Sequence, residues 1–173
     1  GATVVALGDS ITYGTGARPG EDFPGHLATL TEWNIINAGI PGDMARDAGA
    51  RLGPLLAEHQ PTAVLVELGG NDFLRQRSES SVKEDLRGIL QAVEGAGAVP
   101  ILVAVPRFSM LRATVGALSD STLYAELAEE EGVPLIPGVL SSVLSDESLR
   151  ADPIHPNAAG YQQVAREIAE ALV

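Results

Sequence analysis

Residues 4–14 read VVALGDSITYG: four apolar residues lead into Gly8, Asp9 and Ser10, and the chain then breaks through Thr12 and Tyr13 to Gly14. A short unbroken apolar run bounded by turn residues is the pattern of a strand covered on both faces. Such a strand ends here on a serine. A polar residue closing a strand is one reading, and a nucleophile held at the rim of a sheet is the other.

The rest of the chain repeats the pattern. Strands are expected at Thr3–Leu7, Asn34–Asn37, Ala63–Leu68, Ile101–Val105 and Val133–Ile136. Between them lie segments of helical period. Val82, Leu86, Ile89, Leu90 and Val93 fall on one face, as do Tyr161, Val164, Ala165, Ile168, Ala169 and Leu172. Residues 43–59 are expected to be helical with a kink or split at Gly53-Pro54, and residues 120–131 form a weaker, acidic helix. Alternation of strand and helix about five times predicts a three-layer α/β fold with a mostly parallel sheet. At 173 residues, with neither linker nor internal repeat, residues 1–173 are expected to form a single domain.

Composition narrows the function. The net charge is −12, and Lys83 is the only lysine beside ten arginines, so a phosphate backbone or an anionic lipid surface is repelled and no nucleic-acid partner is expected. No apolar run is long enough to span a bilayer. The absence of cysteine rules out disulfides, thiolate catalysis and zinc–thiolate sites. The sequence begins at Gly1 rather than Met. The expected compartment is therefore the cytoplasm, or the periplasm or exterior if an export signal was removed before Gly1. Oligomeric state has no signature in the chain.

In parallel sheets, ligands bind beyond the carboxyl ends of the strands. Polar residues just after strands therefore form the candidate site. Ser10 needs a base to act as a nucleophile, and His155 in ADPIHPNAAG supplies one, with Asp152 three residues earlier to orient its ring. A helix start with Pro156 at its first position explains the same segment structurally. In GGND, the Asn71 amide is able to donate to an oxyanion; in NAGIPGD, Gly39 offers a backbone N–H and Asp43 a helix cap. His26 and His59 have no metal-ligand spacing, and no metal site is expected. The G-x-G-x-x-G and Walker patterns are absent, as is the G-x-S-x-G elbow.

The stretches GDSIT, NAGIPGD, GGND and DPIHPN, in this order across residues 8–157, resemble those of the SGNH hydrolases, the GDSL family of esterases and lipases. LVELGGND is similar to the bacterial arylesterase and lysophospholipase/acyl-thioesterase branch. The resemblance implies a flavodoxin-like fold with five parallel strands and no cofactor. It implies Ser10 as nucleophile, His155 as general base and Asp152 as its orienter. It also implies an oxyanion hole built from the Ser10 and Gly39 N–H groups and the Asn71 side chain. The implied substrate is a small-molecule carboxylic ester of short- to medium-chain acyl or aryl type, with lysophospholipids and thioesters in range. A carbohydrate O-acetylesterase on the same machinery is one alternative, and a non-catalytic flavodoxin-like binding module another. That branch commonly continues GND with Gly-Leu-Arg-Gly, where this chain has Phe73-Leu74-Arg75-Gln76. Phe73 and Leu74, with Phe108, Met110 and Leu111 after the fourth strand, either line an acyl pocket or pack beneath a loop.

Overall fold

The computed structural model describes residues 1–108 and 118–172. Five strands, β1 (Thr3–Gly8), β2 (Asn34–Gly39), β3 (Ala63–Glu67), β4 (Val99–Val103) and β5 (Leu135–Ile136), form one sheet in the order β2-β1-β3-β4-β5. Every pairing within it is parallel. From Val4 to Gly8 β1 is buried throughout, as its unbroken apolar run requires. Its neighbour β2 stands at the edge and keeps Asn34 and Asn37 exposed.

Helices cover both faces of the sheet, giving the three-layer flavodoxin-like arrangement. One group comprises α2 (Phe23–Thr31), α7 (Val139–Leu144) and α8 (Ala158–Leu172); the other comprises α3 (Ala45–His59), α5 (Glu79–Gly95) and α6 (Leu123–Glu131). The stripe read from Val82 to Val93 is the buried face of α5, and Tyr161, Val164, Ala165 and Ile168 bury that of α8. Two short helices, α1 (Ser10–Tyr13) and α4 (Gly70–Leu74), follow β1 and β3 directly.

Three expectations change. The helix over residues 45–59 is not split by Pro54. Pro54 lies on its exposed face, and so does Ala50, whose carbonyl loses its intrahelical donor to the proline and is left open to water. β4 starts at Val99, two residues early, with Pro100 inside it. Because β5 pairs with β4 only from Leu102 onward, Pro100 stands where one side of the strand has no neighbour. Finally, Pro156 is not the first residue of the last helix. Asn157 precedes the helix and accepts from the Gly160 N–H at 2.9 Å, while His155–Pro156 forms a strand β7 paired antiparallel with β6 (Arg150–Asp152).

At the carboxyl edge, Gly39 ends β2 beside Gly8. A Cβ at Gly39 would fall 2.3 Å from the Tyr13 nitrogen and 2.8 Å from the Asp9 carbonyl oxygen, so the glycine lets α1 lie directly on β2. Gly39→Ala is expected to destabilise the fold by about 1–3 kcal/mol, lowering Tm by roughly 2–12 °C. Thermal unfolding followed by circular dichroism checks this, and an unchanged Tm would mean that α1 shifts without cost.

Candidate active site

The order β2-β1-β3 makes the gap between β1 and β3 a topological switch point, where connections leave in opposite directions and a crevice opens. Ser10 follows β1 at this edge. It is the first residue of α1, whose start is capped by Asp9 accepting from the Ile11 N–H at 3.0 Å. From the far end of the chain comes the β6–β7 hairpin. It sets His155 Nε2 2.9 Å from Ser10 Oγ, a contact closed across 145 positions. His155 Nδ1 lies 3.0 and 2.8 Å from the two Asp152 carboxylate oxygens. A proton on Nδ1 satisfies Asp152 and leaves the Nε2 lone pair facing the serine hydroxyl. The hairpin is held from both sides. Gly16 (φ +101°) has no room for a Cβ, which would meet the Pro156 carbonyl at 2.4 Å and Ala151 at 3.0 Å. Tyr161 on α8 donates its hydroxyl to the Thr15 carbonyl at 2.5 Å.

Asn71, in the first turn of α4, donates one amide hydrogen to the Asp43 carbonyl at 2.9 Å, which leaves a second to donate. Gly39 is placed differently from the expectation. It belongs to the β2 ladder, and its N–H is already taken by Asn37 Oδ1 at 2.9 Å. The backbone N–H left open at this corner belongs to Gly42, a residue that reading the sequence did not single out. It has φ +87°, in a turn closed by the Asp43 N–H on the Ile40 carbonyl. Its own N–H, like that of Ser10, has no hydrogen-bond partner among the described residues. The Pro41-Gly42 pair was the available signal, since proline then glycine suits a turn that needs positive φ at its third residue.

Arg51 braces this corner. Its Nη2 reaches the Gly8 and Ala38 carbonyls at 3.1 and 2.8 Å, and its Nε pairs with Asp43 Oδ2 at 2.8 Å. Asp43 therefore serves Arg51 rather than capping α3, and Asp47 accepts from the Met44 N–H instead. Fully buried Asp72 ties α4 to α3 by accepting from the Ala45 N–H at 3.0 Å and from Arg77 at 2.7 Å, which raises the Arg77 pKa further.

The aromatic candidates resolve as packing. Phe73 is buried edge-on against Tyr124, with ring centroids 6.5 Å apart, and Phe108 is buried against Gly70. Leu74 is half-buried, while Met110 and Leu111 lie outside the described residues. Tyr13 and Ile40 present exposed apolar surface instead. An open cleft of about 380 Å³ runs from Tyr13 along the loop to Asp22. Neither His26 nor His59 contacts Ser10, and among the described residues no group of acidic or histidine side chains is set to hold a metal.

Comparison with known proteins gives a consistent result. The model of the GDSL-like Lipase/Acylhydrolase family matches residues 6–163. The chain is 36% identical over 176 residues to the "Thioesterase 1/protease 1/lysophospholipase L1" of Escherichia coli K12, covering 98% of this chain and 83% of that protein. It is 28% identical to an arylesterase of Vibrio mimicus, covering 98% and 88% of the two chains. The crystal structure of TesA superposes with a TM-score of 0.85 at 26% identity, covering 98% of this chain and 97% of the other.

Arg51→Lys keeps the charge but cannot reproduce three bonds from one planar fork. It is expected to destabilise the protein by about 1–3 kcal/mol, read as a lower denaturant midpoint at unchanged slope. A midpoint equal to that of the wild type would remove Arg51 from this bracing role.

Proposed function

This chain belongs to the GDSL-like lipase/acylhydrolase family, whose members hydrolyse carboxylic esters, and from that premise we propose that it works through an acyl-enzyme on Ser10. The observation that carries the reading is the 2.9 Å contact between Ser10 Oγ and His155 Nε2, with Asp152 on the opposite ring nitrogen. Ser10 Oγ attacks the ester carbonyl carbon while His155 Nε2 takes the hydroxyl proton. The C=O electron pair moves onto oxygen and forms a tetrahedral oxyanion. The Ser10 and Gly42 N–H groups and the second Asn71 amide hydrogen are its donors, a set in which Gly42 replaces Gly39. Collapse of the oxyanion expels the alcohol, which leaves with the proton from His155. Water, activated by the same imidazole, then releases the acid and restores Ser10.

The substrate reading follows from the surface beside Ser10. Tyr13 lies three residues along the same short helix, and Ile40 stands beside the Gly42 turn; both are exposed and apolar. They favour simple alkyl or aryl esters of short to medium chain. Thioesters and lysophospholipids belong in the test because a relative is named for them.

A fluorophosphonate probe is expected to modify wild-type protein stoichiometrically at Ser10 and to leave Ser10→Ala unlabelled. Labelling that survives Ser10→Ala would end the reading. A panel of p-nitrophenyl esters, acyl thioesters, lysophospholipid and acetylated sugars then sets the substrate class, with the short p-nitrophenyl esters expected to turn over fastest. Asn71→Ala should lower kcat by about 100- to 1000-fold with little change in KM. Asp152→Asn should fold normally and lower kcat by roughly 10⁴, because the wrong histidine tautomer is then favoured. Near-native turnover in either variant removes that residue from its role.

A further inference from the structure

Directly beneath Ser10 lie two acids that the ester chemistry leaves unused. Asp9 is 3% exposed and Glu67, the last residue of β3, is 1% exposed. Glu67 Oε1 accepts from the Thr12 N–H at 3.1 Å and from the Thr12 hydroxyl at 2.8 Å, so it grips α1 from below. Gly8 makes the room: a Cβ there would fall 2.1 Å from Thr12 Oγ1 and 2.8 Å from Glu67 Oε1. Glu67 Oε2 is buried without a donor among the described residues, and Asp9 directly follows Gly8, the β1 residue paired with Glu67, so the two buried carboxyls are neighbours that act on each other. Two carboxylates are both acceptors and cannot bond, and two adjacent charges in so dry a site cannot both persist.

We propose that Asp9 and Glu67 share a single proton, carried on Glu67 Oε2 and donated to the Asp9 carboxylate, and that this bond positions the short helix that presents Ser10. Glu67 is on this reading a positioning residue, acting through Thr12 and Asp9, and its effect on turnover rests on the Ser10 acyl-enzyme reading. Burial and the neighbouring Asp9 charge push Glu67 well above the usual carboxylate range, while burial pushes Asp9 up to about 6. Other groups share the surroundings. Tyr124 on α6 donates to the Leu68 carbonyl, Asp72 on α4 is held by Arg77, and Arg51 on α3 reaches Gly8. His155 on β7 and Tyr161 on α8 close the other side, with Asp22, Asp120 and Asp152 farther out. The retained proton has a definite sign in stability. Glu67 is protonated in the native protein but ionises in the unfolded chain above about pH 4.3. Its native contribution is thus full below that pH and is lost as pH rises towards its folded pKa.

Glu67→Gln fixes the protonated shape with an amide and does not titrate. Its unfolding constant relative to that of the wild type should therefore fall by up to about tenfold per pH unit as the pH rises above about 5 towards the folded pKa of Glu67. A gap independent of pH would show that Glu67 is ionised in the native state and would overturn the shared proton. For turnover, Glu67→Ala should lower kcat by about 10- to 100-fold with KM nearly unchanged, and the amide should recover most of that loss. Thr12→Val removes one donor to Oε1 at similar volume, and should lower kcat by about 3- to 10-fold even if the alanine variant does not fold. Wild-type kcat in a folded Glu67→Ala, or in Thr12→Val if the alanine variant does not fold, would overturn the positioning role. Loss of Ser10-dependent hydrolysis in the wild type would instead count against the acyl-enzyme reading, while the stability measurement would still decide the proton.

Discussion

The site depends on a missing side chain. Gly8 sits at the end of β1, paired with Gly39 on one side and Glu67 on the other. Where its Cβ would project, Thr12 and the Glu67 carboxyl meet. Any side chain at that position would separate them, and α1 could not fold back over the strand it has just left. Its carbonyl is as constrained, accepting from both the Ile40 N–H and Arg51. One residue thus joins the nucleophile's helix, the buried acid and the loop after β2. Parallel pairing does the rest, because it brings the carboxyl ends of all five strands to one edge, where Ser10, Gly42 and Asn71 gather.

Most of the architecture was legible because it rests on local patterns. The apolar runs of β1 and β3, short, rich in Val and Leu and bounded by turn residues, read as doubly covered strands, and the stripe in α5 carried its own period. Ser10, Asp152 and His155, which the fold brings together, were visible for a different reason: the residue types that could serve as nucleophile, base and orienter are distinguishable in the sequence alone. Backbone donors are not. Pro41 marks Gly42 as a turn residue in NAGIPGD, but what separates Gly39 from Gly42 as donors is that the Asn37 side chain folds back onto one N–H and not the other. That is a property of three-dimensional turn geometry. The aromatic residues, left open between an acyl pocket and packing, show the limit from the other side. Phe73 and Phe108 follow strands at the correct edge, but their rings turn inward, against Tyr124 and Gly70. Sequence position gives the edge of the sheet on which a residue lies; it does not give the direction of its side chain.

Glu67 shows the same limit at its sharpest. In LVELGGND it lies inside the run expected as a strand, with nothing in the sequence to mark it, yet it is more deeply buried than Ser10. A buried acid beside another acid is unfavourable for folding, and natural sequences retain such arrangements chiefly where a site requires them. A neutral alternative such as glutamine or methionine could fill the volume; only an acid able to hold or yield a proton offers both an acceptor to Thr12 and a donor to Asp9 without an extra hydrogen atom to accommodate.

The charge left on the pair also bears on the imidazole. On the proposed acyl-enzyme route, His155 becomes a cation when it takes the serine proton, flanked by Asp152 at its outer nitrogen and by the buried acids below. One negative charge beneath the site favours that cation; a second would also repel the oxyanion forming on the same side of the sheet. A shared proton keeps the count at one. Held this way, the pair favours the imidazolium while opposing the oxyanion with one charge rather than two, and it acts from positions where solvent does not screen it.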